Sequence, residues 1–125
     1  MKLEINMIVS NAKVAGDFYR KALNAQVISQ TDEVQGMNET LMKLADTEIR
    51  VLDENKDFGM FAPAQVGTAS IGINLYVADI ESFFNNAVNE GCTVLSPVQE
   101  FPGKQAKNAV IADKFNHVWV INQQY

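Results

Sequence analysis

Few side chains in this sequence can move a proton or form a bond at neutral pH. His117 is the only histidine, and the only side chain type here whose ordinary pKa lies near neutrality, so it is the obvious candidate for a general base. It sits in the run Asp113-Lys114-Phe115-Asn116-His117-Val118-Trp119 at the entry to a strand, a setting that favours a histidine tying a turn by hydrogen bonds. Cys92 is the only cysteine. No histidine or basic cluster stands beside it to stabilise a thiolate, and it reads as a small buried residue. Nothing resembles a Ser-His-Asp set, a P-loop or a dinucleotide fingerprint. With one histidine, one cysteine and no Cys-x-x-Cys, a zinc cage would depend on carboxylates, which suit structural zinc poorly.

Residues suited to recognition are better represented. Asn6 and Asn74 offer directional hydrogen bonds, Tyr76 an aromatic ring, and Arg50 a fork of fixed positive charge. Their positions depend on the elements that carry them. Leu3 to Val9 alternates with period two and predicts a strand. Asn11 can cap a helix in which Val14, Ala15, Phe18, Tyr19, Ala22 and Leu23 recur at spacings of three and four. Gln26 to Thr31, Glu39 to Ala45 and Glu48 to Leu52 supply three more strands, so the first half reads βαβββ. A second set follows: a strand from Ile71 through Val77, and a helix capped by Asp79 with Ile80, Phe83, Phe84, Ala87 and Val88 on one face. Gly91 is placed to end that helix, and strands follow over Thr93 to Pro97, Lys107 to Ala112 and His117 to Asn122.

The two halves repeat in sequence as well as in order. Leu3-Glu4-Ile5-Asn6-Met7-Ile8-Val9 lies over Ile71-Gly72-Ile73-Asn74-Leu75-Tyr76-Val77, and Ala25 to Ser29 lies over Cys92 to Ser96. The organisation expected is one domain over residues 1–125, with module one at 1–57, module two at 68–125 and a connector at 53–69 containing Gly59, Pro63 and Gly67. A module of about 57 residues is too small to bury a core alone, so the two are expected to pair into one curved mixed sheet, helices outside and a cleft on the inner face. The fold class is α+β. By alternation the inner face carries Asn6, Ile8, Glu48, Leu52, Asn74, Tyr76, Val118 and Asn122, a mixture of amide, apolar and aromatic surface suited to a small molecule.

Composition removes other classes. The chain has 125 residues, 47% of them hydrophobic, with no apolar run long enough to span a membrane. Its net charge of −5 repels a phosphate backbone, so no nucleic-acid partner is expected. The N-terminus alternates instead of showing the charged and then apolar regions of a secretion signal; with a single cysteine, this predicts a reduced, cytoplasmic setting.

Paired βαβββ units, Phe18-Tyr19 with Ala22-Leu23, Val77-Ala78-Asp79-Ile80, Gly91-Cys92-Thr93-Val94 and the run from Asp113 to Trp119 together resemble the vicinal oxygen chelate superfamily. That group includes glyoxalase I, bleomycin-resistance proteins and extradiol dioxygenases. The last run is similar to the Asp-Pro-Phe-Gly-His-x-Trp turn of the PhnB-like branch, with Lys114 for Pro and Asn116 for Gly. The resemblance implies a divalent metal site in the family's enzymes, with up to four ligands, which project onto Glu4, Arg50, Gly72 and Val120. Only Glu4 is a ligand type; Arg50 would repel a cation, and Gly72 and Val120 have no donor atom. No metal and no cofactor are therefore expected. Glu4 and Arg50 could instead form an ion pair there, either as an ordinary polar pair on a solvated face or as an anchor for a ligand's carboxylate or phosphate.

The expected function is binding of a small organic ligand without metal, as in the bleomycin-resistance branch, through Arg50, Glu4, Asn6, Asn74, Tyr76, Glu48, Leu52 and Val118. No catalytic residue is assigned. The alternatives are a metal-dependent lyase or dioxygenase of the glyoxalase kind, and a dimeric structural or regulatory protein. A homodimer is expected, with the connector's Phe58, Met60, Phe61 and Pro63 serving as a contact or as a lid.

Overall fold

Chain order alternates one helix with strands that pair in two separate groups. The computed structural model describes residues 1–64, 69–101, 103 and 106–124, and forms two compact units, Met1–Pro63 and Ala64–Tyr125. The first contains β1 (Asn6–Val9), α1 (Ala12–Leu23), β2 (Gln26–Gln30), β3 (Glu39–Leu44) and β4 (Thr47–Asp53), with strand order β1-β4-β3-β2. The second contains β5 (Asn74–Tyr76), α2 (Ile80–Asn89), β6 (Thr93–Phe101), β7 (Ala106–Ala112) and β8 (Val118–Gln124), with strand order β5-β8-β7-β6. In each, the first strand runs parallel to the last and the other pairs are antiparallel. The class is α+β, with the βαβββ order legible in the sequence.

Both helices start on matching devices. Asn11 caps α1 by accepting from the Val14 N–H at 3.1 Å, and Asp79 caps α2 by accepting from the Ser82 N–H at 3.1 Å. A second acceptor comes from the last strand of each unit. Asp53 Oδ1 accepts from the Ala12 N–H at 2.7 Å, and Gln123 Oε1 accepts from the Ile80 N–H at 2.8 Å. Each satisfies the first donor of a helix, which has no partner within it. The ends match too: Asn24 closes α1 at φ 60°, and Gly91 follows α2 at φ 115°.

The apolar stripes meet the sheets. Phe18, Tyr19, Ala22 and Leu23 of α1 are buried, as are Met42, Ile49 and Val51 in the strands of the same unit. Burying each large side chain stabilises by about 1.5–3 kcal/mol. Gly16 lets α1 come close: a Cβ there would lie 2.9 Å from Gln30 Nε2 and 3.0 Å from Thr40 Cγ2. Val14, expected on the apolar face, is exposed; it lies beside the buried stripe, which passes through Ala12, Ala15 and Gly16. In the second unit Ile80 and Ala87 of α2, and Ala109, Ile111, Trp119 and Ile121, are fully buried.

Strand limits differ from the alternation reading in a patterned way. Leu3 to Ile5 and Ile71 to Ile73 alternate like strand but precede the ladders. Ile5 and Ile73 contribute one carbonyl each, to the Arg50 and Val120 N–H groups at 3.1 and 2.9 Å, and Leu3 and Ile71 are exposed. β6 runs past Pro97 to Phe101, with register shifts between Val94 and Ser96 and between Ser96 and Gln99. Such irregularities and a proline fit an edge strand. The expected connector begins later than Asp53, which closes β4 and is buried; Asn55 and Met60 then pair around a turn at Lys56–Phe58. Gly67 lies outside the described residues.

Candidate functional site

Burial alternates along β4. Ile49, Val51 and Asp53 are buried on the side of α1, which turns Glu48, Arg50 and Leu52 to the opposite face. Asn6 pairs with Arg50 in the β1–β4 register, and Leu41 pairs with Arg50 across β3–β4, so this face also carries Asn6, Ile8, Glu39 and Leu41. Arg50 Nη1 donates to Glu39 Oε1 at 2.6 Å, with the two side chains 30% and 39% exposed. The pair is therefore Arg50 with Glu39, and not Arg50 with Glu4. Glu4 lies before β1, exposed, with its carboxylate 3.0 Å from Lys2 Nζ. The hydrogen bond and charge of Lys2, and then the charge of Arg50, hold the Glu4 carboxyl below its ordinary pKa. Among the described residues Arg50 makes no other side-chain hydrogen bond, so guanidinium donors remain for a ligand. Leu52 is half-buried and Glu48 exposed.

The second unit presents a different face. Trp119 and Ile121 are buried under α2, which turns Val118, Val120 and Asn122 the other way, beside Asn74 and Tyr76 of β5. Tyr76 is 66% exposed. Asn122 Nδ2 donates toward Asn74 Oδ1 at 3.2 Å and toward the carbonyls of Leu75 and Val120 at 3.3 and 3.4 Å. No charged side chain stands among these five residues.

The turn after β7 is a closed network. Asp113 Oδ1 accepts from the Phe115 and His117 N–H groups at 2.8 and 3.1 Å, and Asp113 Oδ2 accepts from Trp119 Nε1 at 2.8 Å. The Asp113 N–H donates to the His117 carbonyl at 2.9 Å, and Asn116 adopts φ 70°. His117 thus joins the turn through its backbone, in line with the structural reading. Cys92 is buried, and burial, reinforced by the charge of Asp113, pushes its thiol up to about 12. A thiol so protonated is no nucleophile at neutral pH.

The positions projected for a family metal do not suit one. Glu4 is held by Lys2, Arg50 is cationic, and Gly72 and Val120 carry no side-chain donor. Among the described residues no group of three or more His, Cys, Asp or Glu is placed to hold a metal ion. Sequence reasoning missed Glu39 and Asp53. Both are carboxylates whose partners lie on other segments, and no local pattern marks them.

The family model described as Glyoxalase/Bleomycin resistance protein/Dioxygenase superfamily matches residues 3–121. An uncharacterized protein of Mycobacterium bovis is 25% identical over 125 residues, covering 97% of this chain and 82% of the relative; one of Mycobacterium tuberculosis is 25% identical and covered to 73%. Among solved structures, the fosfomycin resistance protein FosX from Listeria monocytogenes superposes with a TM-score of 0.75 at 13% identity, over 100% of this chain and 93% of that one. TioX from Micromonospora sp. ML1 gives 0.72 at 12% identity, over 100% and 97%. A PhnB protein from Bacillus cereus gives 0.70 at 14% identity, over 98% and 99%.

Proposed function

From a chain that belongs to the Glyoxalase/Bleomycin resistance protein/Dioxygenase superfamily, we propose a protein that binds a small organic ligand carrying an anionic group, without the metal of the family's enzymes. The observation that supports it is Arg50: a partly exposed guanidinium, held at one nitrogen by Glu39, on a sheet face that also offers Asn6, Ile8, Leu41 and Leu52. A fork fixed at one end and open at the other suits a carboxylate or phosphonate. Glu4 and Glu48 bound that surface electrostatically, and Asn74, Tyr76 and Val118 form the apolar and amide surface of the second unit. No catalytic residue belongs to this reading.

The test is titration of the protein with benzoate and phenylphosphonate, followed by calorimetry and NMR. Saturable binding that Arg50→Ala weakens at least tenfold, about 1.4 kcal/mol, supports the reading. Equal affinity in the variant overturns it. Metal analysis of protein purified without chelator is the second arm. Stoichiometric nickel, zinc or iron, with an activity lost on chelation, would move the chain to the metal-dependent lyases and dioxygenases.

The same reading includes a homodimer in the cytoplasm. Phe58 and Phe61 are exposed apolar side chains that a second copy could cover. Light scattering that returns the mass of one chain at all concentrations would remove the dimer. No described helix is long and apolar enough to cross a membrane.

A further inference from the structure

The second unit's open face supports a ligand chemistry different from that of Arg50. Asn122 and Asn74 are chained head to tail, and the direction of the chain is set by the backbone. The Leu75 and Val120 carbonyls can only accept, so the Asn122 group facing them is the amide nitrogen. Its third contact is Asn74 Oδ1. Of this pair, two groups make no hydrogen bond among the described residues: the carbonyl oxygen of Asn122, which accepts, and the amide nitrogen of Asn74, which donates. Beside them stands Tyr76, paired with Asn122 in the β5–β8 register and 66% exposed. Asn108 lies opposite Asn122 on β7 and adds a third amide to the row.

We propose that this face recognises an uncharged, planar carboxamide group, its N–H donating to Asn122 Oδ1, its carbonyl accepting from Asn74 Nδ2, and its ring lying on Tyr76. The inference deepens the small-molecule reading above and rests on it, but concerns the second unit's own residues and another charge type. A carboxylate here could accept from Asn74 but would face the lone pairs of Asn122 Oδ1, with no cation among Asn74, Tyr76, Val118, Val120 and Asn122 to offset its desolvation, while a neutral amide matches one acceptor and one donor. The Asn122 nitrogen, already engaged, fixes the acceptor in place before a ligand arrives.

Benzamide and benzoate differ mainly in charge, so one pair of probes separates the two ligand chemistries. With the full chain labelled with nitrogen-15, benzamide is expected to shift the side-chain amide of Asn74 and the backbone amides of Tyr76 and Asn122 saturably, with millimolar affinity. N,N-dimethylbenzamide, which has no donor, should bind at least fivefold more weakly. Asn74→Ala and Tyr76→Ala, both at exposed positions, should each weaken benzamide at least fivefold while leaving the spectrum of the fold unchanged. The proposal is overturned if benzamide produces no saturable shift up to about 50 mM, if dimethylation has no effect, or if benzoate shifts Asn74 as strongly as benzamide does. Failure of the Arg50 reading shows separately, as benzoate binding indifferent to Arg50→Ala.

Discussion

Glu39 on β3 and Arg50 on β4 meet at 2.6 Å on the sheet face turned away from α1, one step diagonally apart in the antiparallel register. The carboxylate both steadies the guanidinium and competes with any anion for it. Competition should win, because a half-exposed pair adds only about 1 kcal/mol or less of stability. Glu39→Gln is therefore expected to tighten benzoate binding about threefold, with a melting temperature within about 3 °C of the parent. Weaker binding in the variant would show that the carboxylate's main role is to position the fork.

Asp53 and Gln123 occupy equivalent places at the ends of β4 and β8, and each accepts from the first N–H of its unit's helix. Their burdens are unequal. Asp53 Oδ2 also accepts from the Gly36 and Asn38 N–H groups at 2.9 and 3.0 Å, in a site 1% exposed. Asp53→Ala leaves three backbone donors without that acceptor, at least two of them in buried residues, and is expected to cost about 3 kcal/mol or more; Gln123→Ala loses one bond and should cost about 1 kcal/mol. Urea denaturation of the two variants checks the order. Equal losses would mean that water replaces the carboxylate.

The helices, their caps at Asn11 and Asp79, and the faces of the strands were legible because each depends on neighbours in sequence: a cap on a donor three residues on, a face on alternation. What was not legible depends on register. Glu39 reaches Arg50 only after the turn between β3 and β4 aligns the strands, so the sequence alone offers only Glu4 as its partner. Leu3 and Ile71 alternate convincingly yet lie outside the ladders, since alternation records side-chain direction and not whether a neighbouring strand extends that far. Asp53 read as the start of a polar connector because a carboxylate held by backbone N–H groups from residues 12, 36 and 38 has no local signature.

The turn at Asp113 distinguishes a structural carboxylate from a structural imidazole. Asp113 accepts from two backbone N–H groups and from the indole of Trp119, the only tryptophan, so intrinsic fluorescence reports on the network. Asp113→Ala should lower stability by about 2–4 kcal/mol and change the native emission, because the buried indole N–H loses its acceptor. His117→Gln keeps both backbone bonds to Asp113 and should cost less than Asp113→Ala. A larger loss for His117 than for Asp113 would reverse the assignment.

Cys92 carries the clearest pH signature. Its thiol is pushed up from an ordinary value of about 9 to about 12, first by burial, then by the charge of Asp113, with Lys114 opposing. Between those values the folded chain keeps a proton that the unfolded chain has released. The contribution to stability is thus fully present below about pH 9 and is lost as pH rises toward about 12. Cys92→Ala removes the group, so the parent should lose more stability than the variant over that interval, while near neutrality the two show parallel pH dependence. Native protein at pH 8 should also react with a thiol reagent such as DTNB only at the rate at which it opens, and fully in urea. Rapid stoichiometric reaction of the folded chain would show that the thiol is neither buried nor protonated as described.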